Sequence, residues 1–250
     1  ILNYATEGRQ KRFIKTAFKQ YLSSEVIEKL VKDPEHLKLG GETRELSIFF
    51  SDVAGFTGIS EVLSPEQLTA LLNEYLTAMT DIIYSEGGTI DKYEGDAIIA
   101  FWNAPLDLPD HPRHAVCAAM RCAKKLEELR PVLKEKYGKD LFARVGVNTG
   151  PVVVGNMGST QRFNYTFLGD AGNLASRLEG INKQFGTSIL ISEFTFRLLG
   201  DDMAIREISS VRVVGKKIPI RVYEPMLKED YAAKAETMRG FAQGLQLYYD

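Results

Sequence analysis

Two acidic residues, Asp52 and Asp96, have the type and placement that divalent-cation chemistry needs. Asp52 ends an apolar, β-prone run that begins at Glu45, and Asp96 lies at the tip of a predicted hairpin. Two carboxylates that face one cleft repel each other unless a cation joins them. Mg²⁺ binds a few carboxylates with phosphate oxygens and water, and two such ions about 4 Å apart can activate an attacking oxygen and stabilise a leaving one. The pair predicts a metal site for phosphate chemistry, whereas either acid alone would be typical of a solvated loop.

The turn after Asp52 has the composition of a phosphate-binding loop. Its sequence is Val53-Ala-Gly-Phe-Thr-Gly58, and glycine lets backbone N–H groups approach a phosphate chain closely. A helix that began at this turn would add the positive end of its dipole. The P-loop pattern G-x-x-x-x-G-K-S/T is absent, so the alternative is an ordinary strand-to-helix turn.

Three ordered segments resemble the catalytic domain of class III adenylyl and guanylyl cyclases. Phe49-Phe-Ser-Asp-Val-Ala-Gly-Phe-Thr57 resembles the first metal-binding segment of that family, and Lys92-Tyr-Glu-Gly-Asp96 resembles the second. Phe163-Asn-Tyr-Thr-Phe-Leu-Gly-Asp-Ala-Gly-Asn-Leu-Ala-Ser-Arg177 resembles the segment that carries the transition-state residues. The likeness runs from about residue 46 to residue 223, which is most of the chain.

The resemblance implies a reaction within one nucleotide. The ribose 3′-hydroxyl of ATP would attack the α-phosphorus, so that 3′,5′-cyclic AMP forms and pyrophosphate leaves. Asp52 and Asp96 would hold two divalent ions, Mg²⁺ or Mn²⁺, with the Val53 carbonyl as a further ligand. Asn173 would orient the ribose and Arg177 would meet the charge on the α-phosphate. These two residues lie four apart and therefore share one face of a predicted helix.

A further set of residues would contact the triphosphate by the same resemblance. The set consists of Gly55, Phe56, Thr57, Arg144 and Lys216. The backbone amides and the threonine hydroxyl would cradle the β- and γ-phosphates, and the two basic side chains would grip them. The neighbouring Lys217 is an alternative to Lys216, and ordinary surface charge is the alternative for both Lys216 and Arg144.

Lys92 and Thr166 would recognise the base. A lysine can only donate, which suits adenine N1 or guanine O6, whereas a threonine hydroxyl can accept from the adenine 6-amino group. The Lys–Thr pair resembles a bacterial subgroup of adenylyl cyclases, a membership that would also suggest stimulation by bicarbonate. Guanylyl cyclases usually carry Glu with Cys. Strand alternation predicts Lys92 and Asp96 on one face, whereas the resemblance needs them in different active sites.

The resemblance also implies a homodimer. In this family the metal-binding acids come from one subunit, and the base-binding, Asn and Arg residues come from its partner. This chain carries both sets, so two identical chains would form two equivalent sites. Upstream domains could then act by changing how the two catalytic domains meet, with a predicted helix over residues 8–32 as the connector.

Three alternatives remain open at the level of sequence. A guanylyl cyclase is disfavoured by Lys92. A diguanylate cyclase or polymerase-like palm shares the acid-bearing hairpin, but the turn here reads Glu94-Gly-Asp-Ala97 and lacks a GGDEF-type pattern. A non-catalytic dimerisation module would not need the complete set Asp52, Asp96, Lys92, Asn173 and Arg177.

The elements that must position these residues predict an α+β fold. It has a ferredoxin-like, palm-like β-α-β-β-α-β core with a smaller αβ extension, and helices on one face of a largely antiparallel sheet. Ser64, with proline next and Gln67 three residues on, predicts a capping box that opens a helix to about Glu86. The other predicted elements are a hairpin of 89–93 and 97–102, a helix from 110 to about 138, strands 145–147 and 152–154 around Asn148-Thr-Gly150, a helix over 171–183, a strand over 188–191, and a hairpin of 211–214 and 218–222.

The predicted domain organisation is a connector helix and loop at 1–40, a catalytic domain at 41–227 and a helical tail at 228–250. The tail could also open a helical-repeat module. A net charge of -2 lacks the basic excess of a general nucleic-acid binder. The two cysteines form no metal pair or disulfide framework, which fits a reducing compartment. The basic residues within 1–20 fit either a solvated helix face or a flank just inside a membrane segment. We therefore expect a cytoplasmic domain of a larger bacterial protein, with an upstream sensor or membrane domain.

Overall fold

The computed structural model describes residues 39–201, 203–212 and 219–249. The predicted connector helix over 8–32, Lys216 and Lys217 lie outside the described residues. The described strands are β1 (Gly40–Val53), β2 (Thr89–Glu94), β3 (Ala97–Trp102), β4 (Ala143–Gly158), β5 (Phe163–Leu168), β6 (Ile189–Ser192), β7 (Ala204–Val211) and β8 (Ile220–Met226). The described helices are α1 (Phe56–Ser60), α2 (Pro65–Ser85), α3 (His111–Tyr137), α4 (Asp170–Phe185), α5 (Glu193–Phe196), α6 (Lys228–Ala233) and α7 (Ala235–Tyr249).

The strands form one mixed sheet in the order β2-β3-β1-β4-β6-β8-β7, and β5 pairs with β4 beside this path. The first four strands are antiparallel neighbours, and β4 and β6 are parallel. Together with α2 and α3, these four strands form the predicted β-α-β-β-α-β core. The α+β fold with an αβ extension is therefore confirmed.

Helices α2 and α3 pack on one face of the sheet and form the larger core. Tyr75 and Met79 of α2 and Ala119 of α3 belong to one buried cluster with Phe49 and Val147 of the central strands. The predicted capping box begins α2, because the Ser64 hydroxyl accepts from the Gln67 N–H at 3.2 Å and the Gln67 side chain accepts from the Ser64 N–H. This capping fixes where α2 enters the core.

Helix α4 lies on the opposite face, which corrects the expectation that helices occupy one face only. Successive residues of a strand point to opposite faces of a sheet. Val145 and Val147 belong to the core under α2 and α3, whereas Gly146 between them lies against the backbone of α4 at Ala175. A Cβ at Gly146 would overlap that backbone, so glycine permits the close approach of α4 to β4.

The region around Asn148-Thr-Gly150 is the main error in the predicted strands, because β4 runs through it without a break. Asn148 and Thr149 pair with Ile48 and Ser47 of β1 and are buried. Their polar groups find partners there: Thr149 hydrogen-bonds to Ser47 at 2.7 Å, and Asn148 donates to the Ala171 carbonyl at 2.9 Å. Residues typical of turns are stable inside this strand because their side chains are satisfied.

The remaining differences are shifts of boundary. The turn between β2 and β3 has two residues, Gly95 and Asp96, where three were predicted. The last hairpin consists of β7 and β8, whose described residues begin earlier and end later than predicted, and β5 was not predicted as a strand. The tail from residue 228 is helical as predicted. Among the described helices, none combines the length and apolar character needed to cross a membrane.

Candidate active site

The carboxylates of Asp52 and Asp96 meet at the end of β1. Strands β1 and β3 are neighbours, with Ser51 opposite Ile98, so the turn before β3 lies beside the last residues of β1. The Val53 N–H donates to Asp96 Oδ2 at 2.9 Å. Burial, together with the charge and a hydrogen bond of the neighbouring Asp96 carboxyl, raises the pKa of Asp52 to about 6. The structure therefore brings together the two acids that the sequence singles out.

Arg144 and Glu179 are two further charged residues near the pair of carboxylates formed by Asp52 and Asp96. Arg144 of β4 lies opposite Asp52 in the register, and its Nη1 is 4.0 Å from Glu179 Oε1 on α4. That oxygen is buried and has no hydrogen-bond partner among the described residues. Burial and, to a smaller extent, the charge of Asp52 raise the pKa of Glu179 to about 7 against the opposing charge of Arg144. The sequence did not single out Glu179, because a helical glutamate carries no sign that packing will bury it.

A cation bound at the Asp52–Asp96 pair would have only a small number of carboxylate ligands from the protein. The described residues contain no cluster of three or more His, Cys, Asp or Glu side chains arranged to hold a metal ion. Asp52 and Asp96 are a pair, and Mg²⁺ prefers such a small number of carboxylates with other oxygens. Burial first and the charge of Asp96 second raise the pKa of Asp52, and a bound cation would stabilise the ionised carboxylate against both, so the residues present fit a divalent ion.

The turn after Asp52 leads directly into the short helix α1. Gly55 has a φ of 72°, a left-handed conformation that favours glycine, and α1 begins at the next residue. Phe56 packs against the larger core, whereas Thr57 is exposed. The turn therefore presents an exposed hydroxyl and open backbone next to the carboxylate pair.

Lys92 and Thr166 belong to a second group, which also contains Asp91. The Lys92 Nζ lies 3.7 Å from Asp91 Oδ2, and hydrogen bonding by the nearby Thr166 side chain lowers the pKa of the Asp91 carboxyl. The register of β2 against β3 shifts between Ile90 and Lys92, so Asp91 occupies a bulge. The sequence missed Asp91, since a strand acid beside a lysine is ordinary on an exposed strand.

The bulge and the turn explain how Lys92 and Asp96 reach different groups. Simple alternation places them on one face, but the register shift at Asp91 interrupts it, and Asp96 lies in the turn outside the strand. Lys92 contacts Asp91, whereas Asp96 contacts the end of β1. The expectation from alternation is therefore wrong at this hairpin.

Asn173 and Arg177 lie on the same helix, α4, and their side chains are at least partly exposed. Asn173 is exposed and Arg177 is partly buried, and within the described part of the chain neither side chain makes a hydrogen bond or an ion pair. The helix itself is held in place by the Asn148–Ala171 hydrogen bond and by the close contact at Gly146. The well-packed helix α4 thus presents two polar side chains that have no hydrogen-bond or ion-pair partner among the described residues.

The comparison with known families defines the class of protein. Residues 41–225 match the model of the adenylate and guanylate cyclase catalytic domain. The chain belongs to this family, and its fold is that of a class III cyclase.

Two of the similar curated proteins are bacterial adenylate cyclases. The chain is 32% identical to adenylate cyclase 1 of Rhizobium meliloti over 207 residues, which is 83% of this chain and 31% of that protein. It is 35% identical to an adenylate cyclase of Anabaena cylindrica over 219 residues, 86% of this chain and 42% of that protein. The chain thus spans less than half of these curated relatives.

Two solved structures have the same fold at similar identity. The adenylyl cyclase CyaB from P. aeruginosa has a TM-score of 0.71 at 36% identity, covering 76% of this chain and 97% of that one. The guanylyl cyclase Cya2 has a TM-score of 0.68 at 34% identity, covering 75% and 94%. Overall similarity therefore does not distinguish ATP from GTP as the substrate, and the residues that contact the base must decide it.

Proposed function

We propose that this domain converts ATP to 3′,5′-cyclic AMP and pyrophosphate. The ribose O3′–Pα bond forms, the bond from Pα to the bridging oxygen of the β-phosphate breaks, and the 3′-hydroxyl loses its proton. The observation that carries the choice of ATP is the grouping of Lys92 with Thr166. That grouping offers a donor for adenine N1 and an acceptor for the 6-amino group.

The carboxylate pair is the proposed metal site. Asp52 and Asp96 would hold two divalent ions, Mg²⁺ or Mn²⁺, with the Val53 carbonyl as a further oxygen ligand. Such ions supply Lewis-acid activation of the attacking hydroxyl and neutralise charge on the phosphates. The hydrogen bond from the Val53 N–H fixes the orientation of Asp96 toward Asp52.

The turn at Gly55, Phe56 and Thr57 is the proposed cradle for the β- and γ-phosphates, because it follows the carboxylate pair and exposes the Thr57 hydroxyl. Arg144 would add positive charge from the neighbouring strand, where it already lowers the pKa of Asp52. Lys216 remains a sequence prediction, with Lys217 as its alternative.

Asn173 and Arg177 are proposed to act on a nucleotide bound by the partner subunit. Asn173 would orient the ribose, and Arg177 would stabilise charge on five-coordinate phosphorus. The support is that both are on a firmly packed helix and make no contact within the described part of their own chain. A homodimer would then contain two equivalent sites, each made from two chains.

Subunit mixing tests this arrangement. Asp96→Ala and Arg177→Ala chains should each be nearly inactive when pure, since every site of either homodimer lacks one group. Mixed chains should recover about a quarter of the unmutated activity, because half of the dimers formed at random are heterodimers with one complete site. Mixtures that stay as inactive as the pure variants at concentrations where dimers form would contradict the shared site.

A guanylyl cyclase is the second candidate, because Cya2 matches the fold at 34% identity. Lys92 could donate to guanine O6 as well as to adenine N1. A direct comparison of ATP and GTP turnover separates the two functions.

We also propose that further domains of a larger protein regulate this catalytic domain, because the similar curated proteins are much longer than the region they share with it. The relatives from Rhizobium meliloti and Anabaena cylindrica are more than twice as long as the matched region. An upstream sensor or membrane domain acting through residues 8–32 would place this domain at the cytoplasmic side. Activity that is unchanged by fusing an inducible dimeriser before residue 39 would argue against such control.

A further inference from the structure

Asp91 is a buried acid that none of the assigned roles uses. Its side chain is 3% exposed, although the neighbouring Lys92 side chain is 42% exposed. Asp91 Oδ1 is buried and has no hydrogen-bond partner among the described residues. Buried polar atoms are normally satisfied, so an acid kept only for stability would be expected to use both oxygens.

The contacts of Asp91 are with the two proposed base-recognition residues. The Lys92 Nζ is 3.7 Å from Oδ2, and the Thr166 hydroxyl lies near enough to the carboxylate to lower its pKa by hydrogen bonding. Burial raises the pKa of Asp91, whereas the charge of Lys92 and the hydrogen bond from Thr166 lower it. Asp91 occupies the bulge in β2, and the two side chains that act on it come from different strands, β2 and β5.

An ionised carboxylate decides which way the Thr166 hydroxyl points. A free hydroxyl can donate or accept, so alone it would discriminate poorly between the 6-amino group of adenine and O6 of guanine. A carboxylate can only accept, so the hydroxyl must donate its single proton to Asp91. The threonine oxygen then has only lone pairs left for the base, which match a 6-amino group and repel O6.

We propose that Asp91 is a positioning residue for base selection, which orients the Thr166 hydroxyl as an acceptor and holds the Lys92 ammonium beside it. The inference rests on the proposed function, because it explains how the Lys92–Thr166 pair favours adenine. Asp91 acts through its two neighbours and need not touch the nucleotide.

Two replacements of Asp91 separate hydrogen bonding from packing. Asp91→Leu keeps a similar shape but removes the acceptor, so the Thr166 hydroxyl becomes free to donate to guanine. We expect the ratio of kcat/KM for ATP to that for GTP to fall about tenfold, the scale of one mismatched hydrogen bond. Asp91→Asn retains a carbonyl acceptor and should keep the ratio within about threefold of the unmutated value. Asp81→Leu, at an exposed acid of α2, is the matched control and should leave the ratio unchanged.

The decisive experiment tests whether the effect of Asp91→Leu on base preference depends on the Thr166 hydroxyl. In a Thr166→Ala background, Asp91→Leu should change the ratio by less than about twofold, because there is no hydroxyl left to orient. Titration with 3′-deoxy-ATP and 3′-deoxy-GTP, which lack the attacking hydroxyl, measures the same preference if a variant turns over too slowly.

The outcomes distinguish this inference from the proposed function. No preference for ATP in the unmutated protein would overturn the adenine assignment and this inference with it. A clear preference for ATP that Asp91→Leu leaves intact, with both substrates affected equally, would overturn the inference alone. Full multiplication of the Asp91 and Thr166 effects would also overturn it, since Asp91 would then act independently of the hydroxyl.

Discussion

Replacing Asp52 with asparagine should stabilise the metal-free protein while abolishing its activity. Burial and the Asp96 carboxyl raise the pKa of Asp52 from its ordinary value of 3.8 to about 6. The folded state therefore binds a proton more tightly than the unfolded state, and stability is lost as the pH rises from about 4 to about 6. The full difference corresponds to about 3 kcal/mol, which solvent screening of this partly exposed group reduces to about 1–2 kcal/mol.

The assay is thermal unfolding in the presence of a chelator. At pH 8, Asp52→Asn should unfold about 2–8 °C above the unmutated protein, given about 2–4 °C per kcal/mol for a chain of this size. At pH 5 the advantage should shrink by about half, because Asp52 is then largely protonated in the folded state. Mg²⁺ should raise the midpoint of the unmutated protein more than that of the variant.

The control is Asp81→Asn, which removes an exposed acid from α2 and should not change the midpoint by more than about a degree. An equal midpoint for Asp52→Asn and the unmutated protein at pH 8 would refute the claim that burial and the Asp96 carboxyl destabilise the ionised form of Asp52. So would an advantage that is the same at pH 5 and pH 8.

Three further predictions concern helix placement and base recognition. Gly146→Ala should lower stability by about 1–3 kcal/mol and reduce turnover, because its Cβ overlaps the backbone of α4. Gly180→Ala on the same helix meets open space and should stabilise by about 0.5–1 kcal/mol, so denaturant unfolding that gives equal effects would contradict the packing account. Lys92→Ala should reduce ATP turnover more than Thr166→Ala in initial-rate assays, and the reverse order would contradict the assignment of Lys92 as the main base contact. Lys92→Glu combined with Thr166→Cys should lose ATP turnover, and retained ATP turnover would contradict the assigned pair.

Local sequence patterns were sufficient to predict the helices and strands whose ends are fixed by hydrogen bonds or turn conformations within a few residues. The capping box at Ser64 begins α2 where expected, and the short turn at Gly95 and Asp96 joins a tight hairpin. Both depend on hydrogen bonds or backbone conformations within a few residues. Asn148-Thr-Gly150 was misassigned because its place inside β4 depends on partners from β1 and α4 that are distant in sequence.

The same distinction applies to the site. Asp52 and Asp96 could be recognised because motif and strand position both point to them. Asp91 and Glu179 could not, since their significance comes from burial by segments far away in the chain. The side of the sheet on which α4 lies was also hidden, because only the backbone contact at Gly146 reveals it.

Product identification tests the central claim most directly. The purified protein is incubated with ATP or GTP, each with Mg²⁺ or Mn²⁺, and the products are separated and identified, with Asp96→Ala as the matched control. The account predicts 3′,5′-cyclic AMP and pyrophosphate in equal amounts from ATP, far faster than cyclic GMP from GTP, and no product from the variant. Equal rates with ATP and GTP, or a faster reaction with GTP, would contradict the adenine assignment.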